Sequence, residues 1–188
     1  MTETQKSTLK SAVKVENNQV LDANDEHLMF FETNALTNGT NMFYNTSFTS
    51  FNGDLSSLVY GTSMFENCRS LTSFSGDLSS LTNGYKMFYN TQLTSFSVDS
   101  SDSPVNLSSL VDGTGMFTYT KLTSFSGDLS SLVNGSYMFA YTSLTSFSGD
   151  LSSLVNGSGM FNGDKLDAPS LANIIHTIKD RTGLATPI

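Results

Sequence analysis

The sequence predicts a solenoid: a stack of similar coils, with a parallel β-sheet along one face and short helical or 3-10 turns along the other. Three observations carry this expectation. A Met-Phe pair recurs at residues 42, 64, 87, 116, 138 and 160, at intervals of 22, 23, 29, 22 and 22 residues. A fixed period in this range marks supersecondary units that stack on one another. The phrase MFTYTKLTSFSGDLSSLVN at Met116–Asn134 returns almost unchanged at Met138–Asn156. Each copy also repeats its Leu and Phe at the same slots, too few to bury themselves without neighbours above and below.

Residues 1–20 are polar, carry Lys6, Lys10 and Lys14, and lack the repeat. They are expected to form an N-terminal arm outside the solenoid. Within them VKVENNQV (13–20) suits a strand or short hairpin turning at Asn17-Asn18. Residues 21–41 read as a degenerate N-terminal cap repeat, because ALTNGTNMF (35–43) matches SLVYGTSMF (57–65) in register. Terminal repeats are atypical because they cover the exposed end of the core.

The regular coils occupy 42–165. In the copy beginning at Met116, Leu122 and Phe125 flank Thr-Ser, and a strand is expected around Phe125. An inward Phe125 sends Ser124 and Ser126 outward. Asp128 then opens a turn, its carboxylate accepting a backbone N–H as in an Asx turn. Leu129 and Leu132, three apart, fit one helical turn facing the core. Asn134-Gly135 is expected at positive φ, where Gly and Asn sit without strain. About six strands at the usual spacing would give one parallel sheet roughly 30 Å long. Two Phe columns are expected inside it: Phe51, Phe74, Phe96, Phe125 and Phe147, and Phe43, Phe65, Phe88, Phe117, Phe139 and Phe161.

Two copies break the period. Cys68-Arg69-Ser70 holds one extra residue, and seven more (98–104, with Pro104) form an insertion leaving the solenoid after Phe96. Cys68, the sole cysteine, stands where other copies have Thr46, Thr91, Thr120 and Thr142, which points to a small packing role. Residues 166–188 complete the chain. There Leu171, Ile174, Ile175 and Ile178 recur at helical spacing, with Asp167 as N-cap and Pro169 in the first turn. This amphipathic helix is expected to close the C-terminal end with its apolar stripe inward.

The unit KLTSFSGDLSSLVNGSYMFAYT resembles the leucine-rich repeats of the BspA-like, Treponema-type family. Leu122, Phe125, Gly135, Phe139 and Thr142 match that pattern in register, as do Leu71, Phe74, Gly84, Phe88 and Thr91, over roughly residues 35–166. GDLSSL replaces the family's usual Ile-Pro segment. The resemblance implies a leucine-rich-repeat solenoid of about six 22-residue coils. It also implies a cell-surface or secreted module for adhesion to matrix proteins, host cells or other microbes. The phrasing DLSSL and KLDAPSLANI further resembles repeat proteins of gut bacteria and their phages, which implies a virion tail or fibre component.

Composition excludes several function classes. The net charge of −8 opposes nucleic-acid binding, which needs a basic footprint, and opposes anionic membrane surfaces. No apolar run is long enough for membrane insertion. The N-terminus lacks a signal-peptide h-region, so synthesis in the cytoplasm with assembly into a particle is the expected route to a surface. His27 and His176 lie in opposite caps, and no catalytic motif occurs, so no enzyme and no cofactor is expected.

The column Asp54, Asp77, Asn106, Asp128 and Asp150 is read as caps, since calcium wants six or more oxygens around one point. Asp99 and Asp102, in the insertion, are the weak calcium candidates. The expected binding residues are Ser73, Ser75, Ser95, Ser97, Ser124, Ser126, Ser146 and Ser148 on the sheet face, with Tyr89, Tyr119, Tyr137 and Tyr141 near the Met-Phe turn. Tyrosine joins apolar area to a hydroxyl. The expected partner is a protein or glycan on a cell surface, with a homo-oligomer or virion contact through 1–20 or 184–188. A purely structural spacer is the alternative, and an ice-binding face through Thr49, Thr72, Thr94, Thr123 and Thr145 is a third.

Overall fold

The computed structural model describes residues 14–16, 19–22, 24, 27–30, 34–96 and 105–178. Strand β1 (Lys14–Glu16) pairs antiparallel with β2 (Gln19–Leu21), and β2 with β3 (His27–Phe30). Strand β1 also pairs parallel with β4 (Ser50–Asn52), placing Val15 opposite Phe51. Residues 14–16, expected in an arm outside the solenoid, therefore belong to its sheet. The physical reason is the edge: without β1, the N–H and C=O groups of β4 would lack partners on that side.

Strand β4 pairs parallel with β5 (Ser73–Ser75). Further along, β6 (Val105–Asn106) pairs with β8 (Gly127–Asp128), and β7 (Ser124–Phe125) with β9 (Ser146–Phe147). The one continuous sheet expected from the period is thus divided into a five-stranded piece and two pairs. The break falls at the third copy, where Ser95 and Phe96 lie in no strand and the insertion follows.

A different corner holds the stack together without interruption. Single parallel bridges link Asn38, Tyr60, Asn83, Asp112, Asn134 and Asn156 in turn. Next to them, alternate N–H groups of one coil donate to the following coil: Gly135 to Asn156, Tyr137 to Ser158, Phe139 to Met160 and Tyr141 to Asn162, at 2.7–2.9 Å. The intervening N–H groups close turns within their own coil, as Met138 does on Gly135 at 3.0 Å. Both sets are satisfied because two residues per coil adopt the left-handed conformation, one just before Met and one two after Phe. These are Asn41 and Asn45, Ser63 and Asn67, Lys86 and Asn90, Gly115 and Tyr119, Tyr137 and Tyr141, and Gly159 and Gly163.

Positive φ was expected elsewhere, at Asn134-Gly135, and neither residue adopts it. Asn134 instead accepts the Ser136 N–H and hydroxyl on its Oδ1, at 3.2 and 2.9 Å. Gly135 is small for a packing reason: a Cβ there would lie 3.1 Å from Leu132 Cδ2 and 3.2 Å from Met160 Cε.

The core is a column of rings and aliphatic chains. Phe43, Phe65, Phe88, Phe117, Phe139 and Phe161 stack in sequence at 5.2–5.7 Å between centroids. The other column stacks from Phe51 to Phe74 to Phe96, and again from Phe125 to Phe147. Leu129 and Leu132 are fully buried and joined by one turn, the Leu132 N–H donating to Leu129 O at 2.9 Å.

Helix α1 (Ala168–Thr177) starts at N-cap Asp167, whose side chain accepts the Ser170 N–H. It packs on β9: Phe147 N–H donates to Ser170 Oγ at 2.8 Å, and Asn173 Nδ2 to Gly149 O at 2.9 Å. Of the stripe expected to face inward, Ile174 and Ile178 pack on the core. Leu171 and Ile175 do not, being 50% and 76% exposed. The helix is anchored through polar Ser170 and Asn173, which turns part of the apolar stripe outward.

Candidate functional site

The Asp column acts within its own coils. Asp54, Asp77, Asn106, Asp128 and Asp150 each accept on Oδ1 the N–H of the Ser two residues on, at 2.8–3.0 Å. The Ser56 hydroxyl and N–H hold the Asp54 carboxyl below its ordinary range. Asp99 and Asp102 lie outside the described residues, as does Ser97.

Along the sheet face Ser73, Ser95, Ser124, Ser126, Ser146 and Ser148 are exposed, and Ser75 is half-buried. Strand pairing places Ser73 beside Ser50 and Ser146 beside Ser124, but no ladder joins Ser73 to Ser124. The serines therefore form two short groups. The neighbouring threonines turn two hydroxyls back on the scaffold: Thr72 and Thr145 donate to the Thr49 and Thr123 carbonyls at 3.2 Å. Those two donors are withdrawn from any ordered-water array on that face.

The Met-Phe corner is built differently. Tyr119, Tyr137 and Tyr141 are 44–49% exposed. Tyr119 stacks on Tyr141 at 5.1 Å, and Tyr89 meets Tyr119 edge-on at 5.5 Å. The structure thus unites three of the four expected tyrosines, Tyr89, Tyr119 and Tyr141, in one row. The Tyr141 hydroxyl accepts from Asn162 Nδ2 at 3.0 Å. Tyr137 lies over the next coil, where a Cβ on Gly159 would meet its ring at 2.6 Å. Toward the N-terminus asparagines replace the tyrosines, and Asn90 Nδ2 donates to Asn67 Oδ1 at 2.7 Å.

Sequence reasoning missed Lys86. Its Nζ lies over two rings, 5.3 Å from the Tyr85 centroid and 5.2 Å from that of Tyr89. The signal was present: Lys86 occupies the slot held elsewhere by Asn41, Ser63, Gly115, Tyr137 and Gly159. A slot rich in Gly and Asn marks left-handed backbone.

Inside the same corner, one small polar group per coil forms a column. Cys68 is buried, its Sγ donating to Phe43 O at 3.0 Å and meeting Thr46 Oγ1 at 3.3 Å. Burial pushes its thiol up from the ordinary value. At the far end Thr142 Oγ1 donates to Asp164 Oδ1 at 2.7 Å, while Asp164 Oδ2 is buried with no partner among the described residues. Burial raises this carboxyl, and the Thr142 hydroxyl offsets part of the effect.

A raised folded-state value means that the stabilising contribution is complete below the unfolded carboxylate range, about pH 4, and lost as pH rises through the raised value. Asp54 works in the opposite sense, its contribution being lost as pH falls through its lowered value. Asp164→Asn is expected to flatten the decline in thermal stability between about pH 4 and neutrality. Parallel melting curves of the two proteins across that range would refute this.

This geometry is a stack of repeated coils: Leu and Phe within, hydrogen-bonded turns at the corners, polar and tyrosine side chains displayed. Residues 27–110 match the family model described as BspA type Leucine rich repeat region (6 copies). That part of the chain is similar to the BspA-type leucine-rich-repeat family. No curated protein and no solved structure matches the chain. Among the described residues no helix is long and apolar enough to cross a membrane.

Proposed function

We propose that this protein is a non-enzymatic recognition module that touches its partner, a surface protein or glycan, with the tyrosine corner. One observation carries this reading. Tyr119, Tyr137 and Tyr141 have φ of 61°, 55° and 56°, and the corresponding slots of neighbouring coils hold Gly115, Gly159 and Gly163 or asparagine. Left-handed backbone costs a non-glycine residue roughly 1–2 kcal/mol. Glycine would fold at these slots without that strain, so a half-exposed tyrosine kept there is supported by what its side chain does. Strain retained at a displayed side chain is a mark of functional sites.

The serine groups have no such cost and no aromatic anchor, and hot spots favour Tyr, Trp and Arg. Leucine-rich repeats of this family are commonly adhesion or binding modules of surface proteins, which supports the same reading. Display on a bacterial surface or on a virion is the finer part of the proposal, and it rests on the wording of the repeats.

Tyr141→Gly is the informative variant, since it removes the side chain and the strain together. Binding to a cognate cell or glycan array is expected to weaken by about 2 kcal/mol, roughly thirtyfold, with no loss of thermal stability. Ser124→Ala with Ser146→Ala is expected to leave binding intact. The reverse pattern would move the site to the sheet face. A wild-type protein that binds no cell, glycan or surface protein would leave the structural-spacer reading in its place.

A further inference from the structure

The cations of the coils are confined to one corner. The capping carboxylates Asp54, Asp77, Asp128 and Asp150 follow the strands. The cations of the repeat region, Arg69, Lys86, Lys121 and Lys165, all fall in the Met-Phe turn or in the short connection after it. None of these four makes an ion pair among the described residues. Arg69, Lys121 and Lys165 are exposed, and Lys86 is half-buried between Tyr85 and Tyr89. Of the acids on this corner, Glu66 is held by the Ser63 hydroxyl at 2.6 Å, Asp112 by the Thr114 N–H and hydroxyl at 3.0 and 2.7 Å, and Asp164 by Thr142.

Lys86 is the informative member. Its φ is 51°, in a slot where two other coils have glycine. Two tyrosine rings fix its ammonium by cation–π attraction, worth about 0.5–1 kcal/mol at exposed sites. The outcome is a cation that lies over two rings and makes no ion pair among the described residues, on a chain whose net charge is −8. Tyr89 in turn meets Tyr119 edge-on at 5.5 Å, and Lys121 follows two residues on in the chain. The same corner carries the tyrosine hydroxyls and the Asn67–Asn90 amide pair, which are directional.

We propose that the tyrosine corner binds an anionic glycan, a sugar polymer bearing carboxylate or sulfate groups, with Lys86 and Lys121 meeting the anions and tyrosine hydroxyls meeting sugar hydroxyls. This rests on the recognition reading above and names the ligand class for that site. Charge-assisted hydrogen bonds to the anions supply the attraction, and exposed charges make it sensitive to salt.

The test measures binding of the full-length protein to polygalacturonate, heparin, dextran and poly-L-glutamate. Polygalacturonate, heparin or both are expected to bind and to weaken as salt is raised, the two polymers telling carboxylate from sulfate. Dextran is expected to bind at least tenfold more weakly. Lys86→Gly is expected to weaken anionic-glycan binding about tenfold while the melting temperature holds or rises, and Lys86→Arg to retain it. Poly-L-glutamate binding as tightly as the glycans would overturn the proposal in favour of an acidic protein. Equal binding of dextran, or no effect of Lys86→Gly, would overturn it as well. If no anionic polymer binds but Tyr141→Gly still abolishes cell binding, this inference fails and the recognition reading stands.

Discussion

Phe88→Ala is expected to destabilise the protein by about 4 kcal/mol, the largest effect of any single truncation in the stack. Phe88 is fully buried. It stacks on Phe65 at 5.4 Å and Phe117 at 5.6 Å, and meets Phe74 and Phe96 edge-on at 4.8 and 5.3 Å. Removing the ring opens a cavity whose walls belong to three coils, each held in place by hydrogen bonds to the next. Those walls cannot collapse inward without breaking the register, so the cavity term persists in full.

For a chain of this length the loss corresponds to a melting-temperature drop of roughly 10 °C. Stability in stacked repeats is approximately a sum of unit and neighbour terms. A weak central interface should therefore also broaden the urea transition. Phe161→Ala is the control: it stacks on Phe139 and meets Phe147, but is only half-buried. It should cost about half as much. Equal losses at the two sites would refute the cavity argument.

Gly61→Ala is expected to cost about 2 kcal/mol through overpacking. A Cβ there would stand 2.8 Å from Met87 Sδ, 3.1 Å from Leu81 Cδ1 and 3.3 Å from Met87 Cε. Both neighbours are fully buried. The same pairing recurs down the stack: Gly39 faces Met64, Gly84 faces Met116 and Gly113 faces Met138. Each methionine reaches back over the glycine of the preceding coil.

A double-mutant cycle tests the pairing. Met87→Ala alone leaves a cavity and should cost about 3 kcal/mol. In Gly61→Ala/Met87→Ala the new methyl group enters space that the methionine vacated. The double variant should be more stable than the sum of the single losses by about 1–2 kcal/mol. Additive losses, measured by urea denaturation, would show that the glycine is needed for something other than room for Met87.

These two sites show where reading the sequence succeeded and where it stopped. The Phe columns, the buried Leu pairs and the capping Asp residues follow from spacing, because a residue that recurs every 22 positions has the same neighbours in every coil. The role of the glycine after Asn was misassigned. Gly in a loop satisfies either a left-handed φ or a close approach, and sequence does not separate the two. Here the left-handed positions are filled by Tyr137, Tyr141 and Lys86, residues that local propensity places there rarely. The tyrosine row was legible as a cluster of side chains. The slot of Lys86 carried a signal of left-handed backbone, but the placement of its ammonium over Tyr85 and Tyr89 was not legible, because it depends on a backbone conformation set by bonds between coils.

The sequence by itself determined the period, the identity of the core residues and the alternation of buried and displayed positions. These are properties of a pattern, and hydrophobic burial needs only the pattern. The tertiary structure decided which corner carries the unbroken ladder. The sheet is divided at the third copy, while the Met-Phe turns pair from each coil to the next through alternate N–H groups. It also decided that Val15 of the N-terminal segment joins the sheet opposite Phe51, and that Leu171 and Ile175 face outward. Each of these depends on which backbone groups remain unpaired once the coils have stacked, and that is a property of the assembled stack, which no single repeat contains.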